Sequence, residues 1–349
     1  MKTFFLSLLV TLCSMCCAAQ QNESVKKLVG EGIKQHDKGN YEEAIKKYDE
    51  ALQIDKDDYD ANYEKSMTCL YLKRYEECFT ISKYLLYKHA DNADIKSVYC
   101  NYGSALDDNG DPEGAIKIYE QGLKKFPGFY LLHFNKGLTL SRQKKWDAAM
   151  ESFMLALKNK PNHAGSLYYT ALIQEKSNKI TAIISCLTFL AVEPEGKRAE
   201  TVLGYLQQLM NSFAQKNKEG SNVITITTGD LNNKKKENNF SMQQMVMGLT
   251  IASSLTDSVK ASTAVEKLSL QIQMLANSLA NGKKEGKGIY WDTYAPFFIE
   301  MKKQELVPVF AHVAFITSGD EENIKWINNN QDKLQGFYKW VGEYHWNSK

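Results

Sequence analysis

The sequence predicts an all-α chain: a solenoid of helical hairpins, about five repeats with a capping helix, followed by a second helical domain. Three observations carry that prediction. Gly32, Ala44, Tyr48 and Ala51 recur as Gly103, Ala115, Tyr119 and Gly122, and again as Gly137, Ala149, Phe153 and Ala156, at one internal spacing of twelve, four and three. Turn residues fall inside each repeat at Lys38-Gly39-Asn40, Asn109-Gly110-Asp111-Pro112 and Gln143-Lys144-Lys145. Beyond about residue 240 the apolar period stays helical while the 34-residue repeat disappears.

In chain order, Lys2 precedes an apolar run from Phe4 to Leu12, and Ala18-Ala19 precede the polar Gln20-Gln21-Asn22. This pattern predicts a secretory signal peptide over 1–19, cut before Gln20, and export across an inner membrane to the periplasm. A lipid anchor at Cys16 or Cys17 is disfavoured, because the residue before a lipidated cysteine is small and here it is Met15 or Cys16. No later segment is long and apolar enough to span a bilayer.

The repeats follow over 24–215. Each pairs two amphipathic helices, with a small residue on the first and another on the second so that the backbones approach, and an aromatic one turn later to fill the gap. Pro127, Pro161 and Pro194 stop second helices. The second repeat is degenerate, holding Ser66, Cys78 and Ser82 where its neighbours hold Gly, Ala and an aromatic. The fifth is irregular but keeps Ala182, Cys186 and Pro194, and Lys197–Gln215 reads as the cap.

These phrases, above all Gly39-Asn40-Tyr41-Glu42-Glu43-Ala44-Ile45 and Gly110-Asp111-Pro112-Glu113-Gly114-Ala115-Ile116, resemble the tetratricopeptide repeat family. The resemblance covers about half of the chain, with repeats at about 25–58, 59–95, 96–129, 130–163 and 164–195. It implies a concave groove lined by first helices that accepts a protein or peptide segment, and it places Tyr63, Met67, Tyr71, Asn101, Ser104, Phe134, Asn135 and Leu138 on that groove. Some relatives hold a partner's C-terminus with a clamp of lysines, asparagines and an arginine. The matching places here hold Val29, Ile33, Glu64, Ser97 and Asn101, or one repeat later Tyr63, Met67, Asn101, Leu131 and Asn135, so the clamp is not carried over.

Residues 216–239 shift toward Gly, Asn, Lys and Ser around a β-prone run, Val223 to Thr228, and read as a linker with an extended segment. Lys234-Lys235-Lys236 reads as its solvated charge run. A helical domain is expected over 240–349. It begins with a Met-rich helix, Met242 to Leu255, and continues with an apolar stripe at Ala261, Val265, Leu268, Ile272, Leu275 and Leu279. Helices at about 290–305, 306–318, 321–329 and 331–344 follow; the last sixty residues hold four of the five tryptophans, and most of these rings are expected in the core.

The formal net charge is +2, with 43 basic and 41 acidic residues interspersed, which leaves no basic face for nucleic acid. The six histidines lie at no metal-binding spacing, and no phosphate loop or nucleophile elbow occurs. The acidic run Asp55 to Asp60 lacks the glycine and glutamate of a calcium loop and reads as a link between repeats. His312, with Asp292 and Glu300, is the acid/base candidate, weighed against a structural histidine. Cys69, Cys78, Cys100 and Cys186 fall inside predicted helices, as buried free thiols. The expected function is a non-enzymatic protein-interaction scaffold of the cell envelope, with no cofactor and no metal. The alternative is a C-terminal domain that binds a small ligand or hydrolyses a substrate, with the repeats as its docking arm.

Overall fold

The computed structural model describes residues 2–173, 178–216, 224–226, 237–254, 263–283 and 286–346. Compactness divides the chain into two units, Met1–Lys145 and Trp146–Lys349, with the division in the turn that the sequence places at Gln143-Lys144-Lys145. Among the described residues no helix is long and apolar enough to cross a membrane.

The first unit holds α1 (Lys2–Asp37), α2 (Tyr41–Ile54), α3 (Tyr59–Tyr71), α4 (Tyr75–Lys88), α5 (Ile95–Asp108), α6 (Pro112–Lys125) and α7 (Tyr130–Arg142). Helices pack on their neighbours in sequence, and each first helix also meets the next first helix. The small-to-large pairing has a direct geometric basis. A Cβ built on Gly32 would lie 2.3 Å from the Tyr48 ring, and one on Gly103 would lie 2.2 Å from Tyr119, so only glycine admits the aromatic.

The first helices all end alike. Asn40 N–H reaches Gln35 O and Gly39 N–H reaches His36 O, and the same pair of bonds recurs at Arg74 and Lys73, at Asp111 and Gly110, and at Lys145 and Lys144. This is the Schellman ending, which needs a left-handed residue after the helix. Gly39 (φ 80°) and Gly110 (φ 88°) supply it without strain, whereas Lys73 (φ 59°) and Lys144 (φ 60°) adopt it despite carrying a Cβ. The acidic link between repeats has a capping role: Asp58 accepts from Ala61 N–H at 2.7 Å at the start of α3, and Asp57 receives the Tyr84 hydroxyl.

The second unit holds α8 (Trp146–Asn159), α9 (Ala164–Ile173), α10 (Lys179–Val192), α11 (Lys197–Asn211), α12 (Ser241–Ser254), α13 (Ala264–Gly282), α14 (Ala295–Lys303), α15 (Val307–Ala314), α16 (Glu321–Asn329) and α17 (Gln331–Glu343). Helix α10 is buried on every side from Ile180 to Ala191 and contacts α9, α11, α12, α15 and α17. A helix apolar all round belongs at the centre of a core. The second helix expected of the fifth repeat is therefore the hub of this unit, and one continuous apolar cluster runs from Leu157 to Val341.

A short antiparallel ladder pairs Ala214–Lys216 with Ile224–Ile226, in the register Ala214 to Ile226. It lies at the edge of the expected linker, most of which, including Lys234-Lys235-Lys236, lies outside the described residues, as do Leu255 and Ala261. The stripe expected on α13 is buried at Val265, Leu268, Ile272, Leu275 and Leu279. Helix α12 divides its methionines, with Met247 fully buried and Met242 exposed. Before α14, a π-helical turn spans Tyr290–Tyr294: Ala295 N–H reaches Tyr290 O, and Pro296 has no N–H with which to restore the tighter pattern.

Candidate partner-binding groove

The first helices α1, α3, α5 and α7 present the same face at equivalent positions, which sets the candidate groove. Tyr63, Met67, Phe134 and Leu138 are half-buried there, and Tyr71 is 58% exposed. The Tyr63 ring stacks on Tyr59 with centroids 6.0 Å apart, and burial pushes its phenol pKa up. Tyr71 stacks on Tyr41 at 5.4 Å and meets His36 edge-on at 4.9 Å.

The polar members of the expected set bond between neighbouring helices. Asn101 is buried, and its side-chain amide donates to Ser66 Oγ at 3.2 Å. Asn135 donates to Ser104 Oγ at 3.5 Å, and Ser104 Oγ lies 3.2 Å from the Tyr119 hydroxyl. These amides tie α3 to α5 and α5 to α7, so the accessible chemistry of the face is mainly aromatic and aliphatic.

Sequence reading missed a second polar row. Thr139 Oγ1 donates to Asp107 Oδ2 at 2.5 Å, and the Arg142 guanidinium pairs with the same carboxylate. Two junctions earlier, His36 Nδ1 lies 2.8 Å from Thr68 Oγ1. Residues 36 and 107, 68 and 139, and 71 and 142 occupy equivalent places in the repeat, so the register itself was the signal. Glu64, the counterpart of Asn135, is half-buried, and burial together with Asp60 and Asp37 pushes its carboxyl pKa up.

The remaining chemical candidates resolve into structural roles. His312 Nδ1 lies 2.6 Å from Asn323 Oδ1, Asn323 donates back to His312 O at 3.1 Å, and the ring stacks on Trp326 at 3.6 Å. The carboxylate in its electrostatic reach is Glu266, not the expected Asp292 or Glu300, and burial lowers its pKa. Cys69, Cys78, Cys100 and Cys186 are free and buried, and burial pushes the thiols of Cys69, Cys78 and Cys100 up to about 12 and that of Cys186 up as well. Such thiols carry almost no thiolate at neutral pH. Among the described residues no group of His, Cys, Asp and Glu could hold a metal ion.

Residues 34–65 match the family described as TPR repeat, and residues 102–174 match the one described as tetratricopeptide repeat. Similar solved structures include a thermophilic tetratricopeptide repeat protein of Thermus thermophilus, at 17% identity and a TM-score of 0.46, covering 53% of this chain and 100% of that one. PilF of Pseudomonas aeruginosa is similar at 21% identity and a TM-score of 0.48, covering 56% of this chain and 86% of that one. No curated protein matches the chain. The family matches fall on the helical hairpins described above, so those hairpins are tetratricopeptide repeats.

Proposed function

We propose that the protein is a non-enzymatic interaction scaffold of the cell envelope that holds a peptide or protein segment against the first-helix face of its repeats. The observation that carries this reading is the accessible aromatic and aliphatic side chains on the first helices on either side of α5: Tyr63, Met67 and Tyr71 on α3, and on α7 Phe134 and Leu138, the counterparts of Tyr63 and Met67. Half-buried rings held by stacking lose little entropy on binding and contribute disproportionately to interface energy. The envelope assignment rests on the sequence signal at 1–19.

The test is capture of partners from envelope fractions by the full chain and by a Tyr63→Ala/Phe134→Ala variant. Truncating two such contacts is expected to cost about 2–4 kcal/mol of affinity while leaving helicity nearly unchanged. A partner retained at full affinity by the double variant would sink the groove reading.

A further inference from the structure

The repeats allow one site to be compared with its own copy 71 positions later in the chain. At the junction of α5 and α7, Ser104 Oγ serves both the Tyr119 hydroxyl and the Asn135 amide, and Arg142 pairs with Asp107 and lies 3.7 Å from Asp108. At the junction of α1 and α3 the same places hold Ile33 for Ser104, Tyr48 for Tyr119, Glu64 for Asn135, Asp37 for Asp108 and Tyr71 for Arg142. The internal guanidinium is gone and His36 stands in the place of Asp107, while Asp37 keeps the carboxylate of Asp108 and Glu64 adds one where Asn135 has none.

The consequences are visible in the geometry. Tyr48 has no exposed surface, and its hydroxyl has no hydrogen-bond partner, although it lies beside Thr68 and within electrostatic reach of Glu64 and Asp37. Ile33 has no polar atom to offer it. Among the described residues Glu64, Asp37 and Asp60 form no ion pair, while Glu31 on α1 pairs with Lys47 and, at the later junction, Asp107 pairs with Arg142. Burial and its two acidic neighbours oppose ionisation of Glu64. A cation from outside would relieve all three carboxylates at once, as Arg142 does for Asp107 and Asp108.

We propose that this first junction is a subsite for the ammonium or guanidinium group of a lysine or arginine side chain on the bound segment. The inference rests on the peptide-binding reading above and names the chemistry of the peptide. The cation lies against Glu64 and Asp37, with the rings of Tyr71 and Tyr41 beside it. Held charged from above, the Glu64 carboxylate becomes the acceptor that the Tyr48 hydroxyl lacks from below.

The test uses the full chain and a labelled probe, acetyl-Arg-Gly-Arg-Gly-Arg-amide, with its glutamate counterpart as control, titrated by fluorescence anisotropy at low salt. The arginine peptide is expected to bind and the glutamate peptide not to. Glu64→Gln should weaken binding about tenfold, Asp37→Asn about fivefold and Tyr48→Phe about threefold, in keeping with the strength of charge-assisted contacts. Glu43→Gln, a change of equal charge on α2, should leave binding unaltered. Thermal melting confirms that each variant is folded, and Tyr48→Phe keeps the ring that packs on Gly32. Equal binding by the native protein and Glu64→Gln, or an equal loss with Glu43→Gln, would overturn the proposal. If envelope partners are lost with Tyr63→Ala/Phe134→Ala yet kept by Glu64→Gln, the groove stands and the cation subsite fails. If the arginine peptide binds through Glu64 and no partner is captured, the subsite stands and the scaffold reading fails.

Discussion

The two units solve the burial problem differently. In the first, buried apolar side chains fall into separate clusters, one from Val25 to Ala105, one around Tyr99 and Tyr119, and a small one at Leu85, Ile95 and Val98. In the second, one cluster runs without interruption from Leu157 to Val341. The seams of the first unit lie around its second repeat, where Ser82 occupies the place that Tyr48 and Tyr119 fill in the neighbouring repeats. A missing large ring thins the contact between adjacent layers, because a solenoid has only nearest-neighbour contacts to spread the loss. The second unit has α10 at its centre, touched from many directions, so no single layer is isolated.

The sharpest way to break this comparison is Phe297→Ala. Phe297 is fully buried and meets Phe298, Trp340, Tyr344 and Trp346 with centroids 4.6–5.2 Å away. The change should cost about 3–5 kcal/mol, and hydrogen exchange should accelerate together from α8 to α17. Exchange that rises only around α14 would show that the second unit is itself modular. Gly103→Ala is the counterpart in the first unit. Its methyl group has no space against Tyr119, so the expected cost is about 1–3 kcal/mol, with faster exchange confined to α5, α6 and α7. Uniform acceleration over the whole first unit would refute the view that its layers are weakly coupled.

A third prediction uses pH. His163 Nδ1 lies 2.8 Å from Ser166 Oγ and accepts from Ser166 N–H at the start of α9, and burial, with Lys160 and Arg198, holds its pKa down to about 4. The folded value lies below the unfolded one, so this contribution to stability is present above about pH 6.5 and is lost as the pH falls toward 4. Allowing for partial solvent screening, the loss should be about 1–2 kcal/mol. His163→Asn, which keeps a capping acceptor, should flatten the melting temperature over that range; an unchanged slope would place the effect elsewhere. The smallest effect is a gain. Replacing Lys73 by Gly relieves a left-handed Cβ and should stabilise the second repeat by about 0.5–1 kcal/mol, offset in part by the greater freedom of the unfolded chain. A destabilised Lys73→Gly protein would mean that the lysine side chain itself packs there.

Much of the architecture was legible because repetition amplifies weak signals. Any one Gly, Ala and Tyr at that spacing means little, but three copies fix the hairpins, and the four C-terminal helices followed from Pro308 and the Ser318 to Glu321 cap. The equivalence of Tyr63 with Phe134 and of Met67 with Leu138 was legible in the same way. The inward turn of Asn101 and Asn135 was not, since an amide at a groove position reads alike whether it meets a partner or the next helix.

The sequence by itself determined local matters: helix boundaries, turn types, and which face of each repeat is small or aromatic, all set by short-range sterics and period. Only the tertiary structure decided that α10 is the hub of the second unit, that His312 belongs to Asn323 and Trp326, and that Ile33 leaves Tyr48 without a partner. Those facts depend on which side chains meet across tens of residues. A periodic pattern gives each residue a face but not the neighbour that face will find.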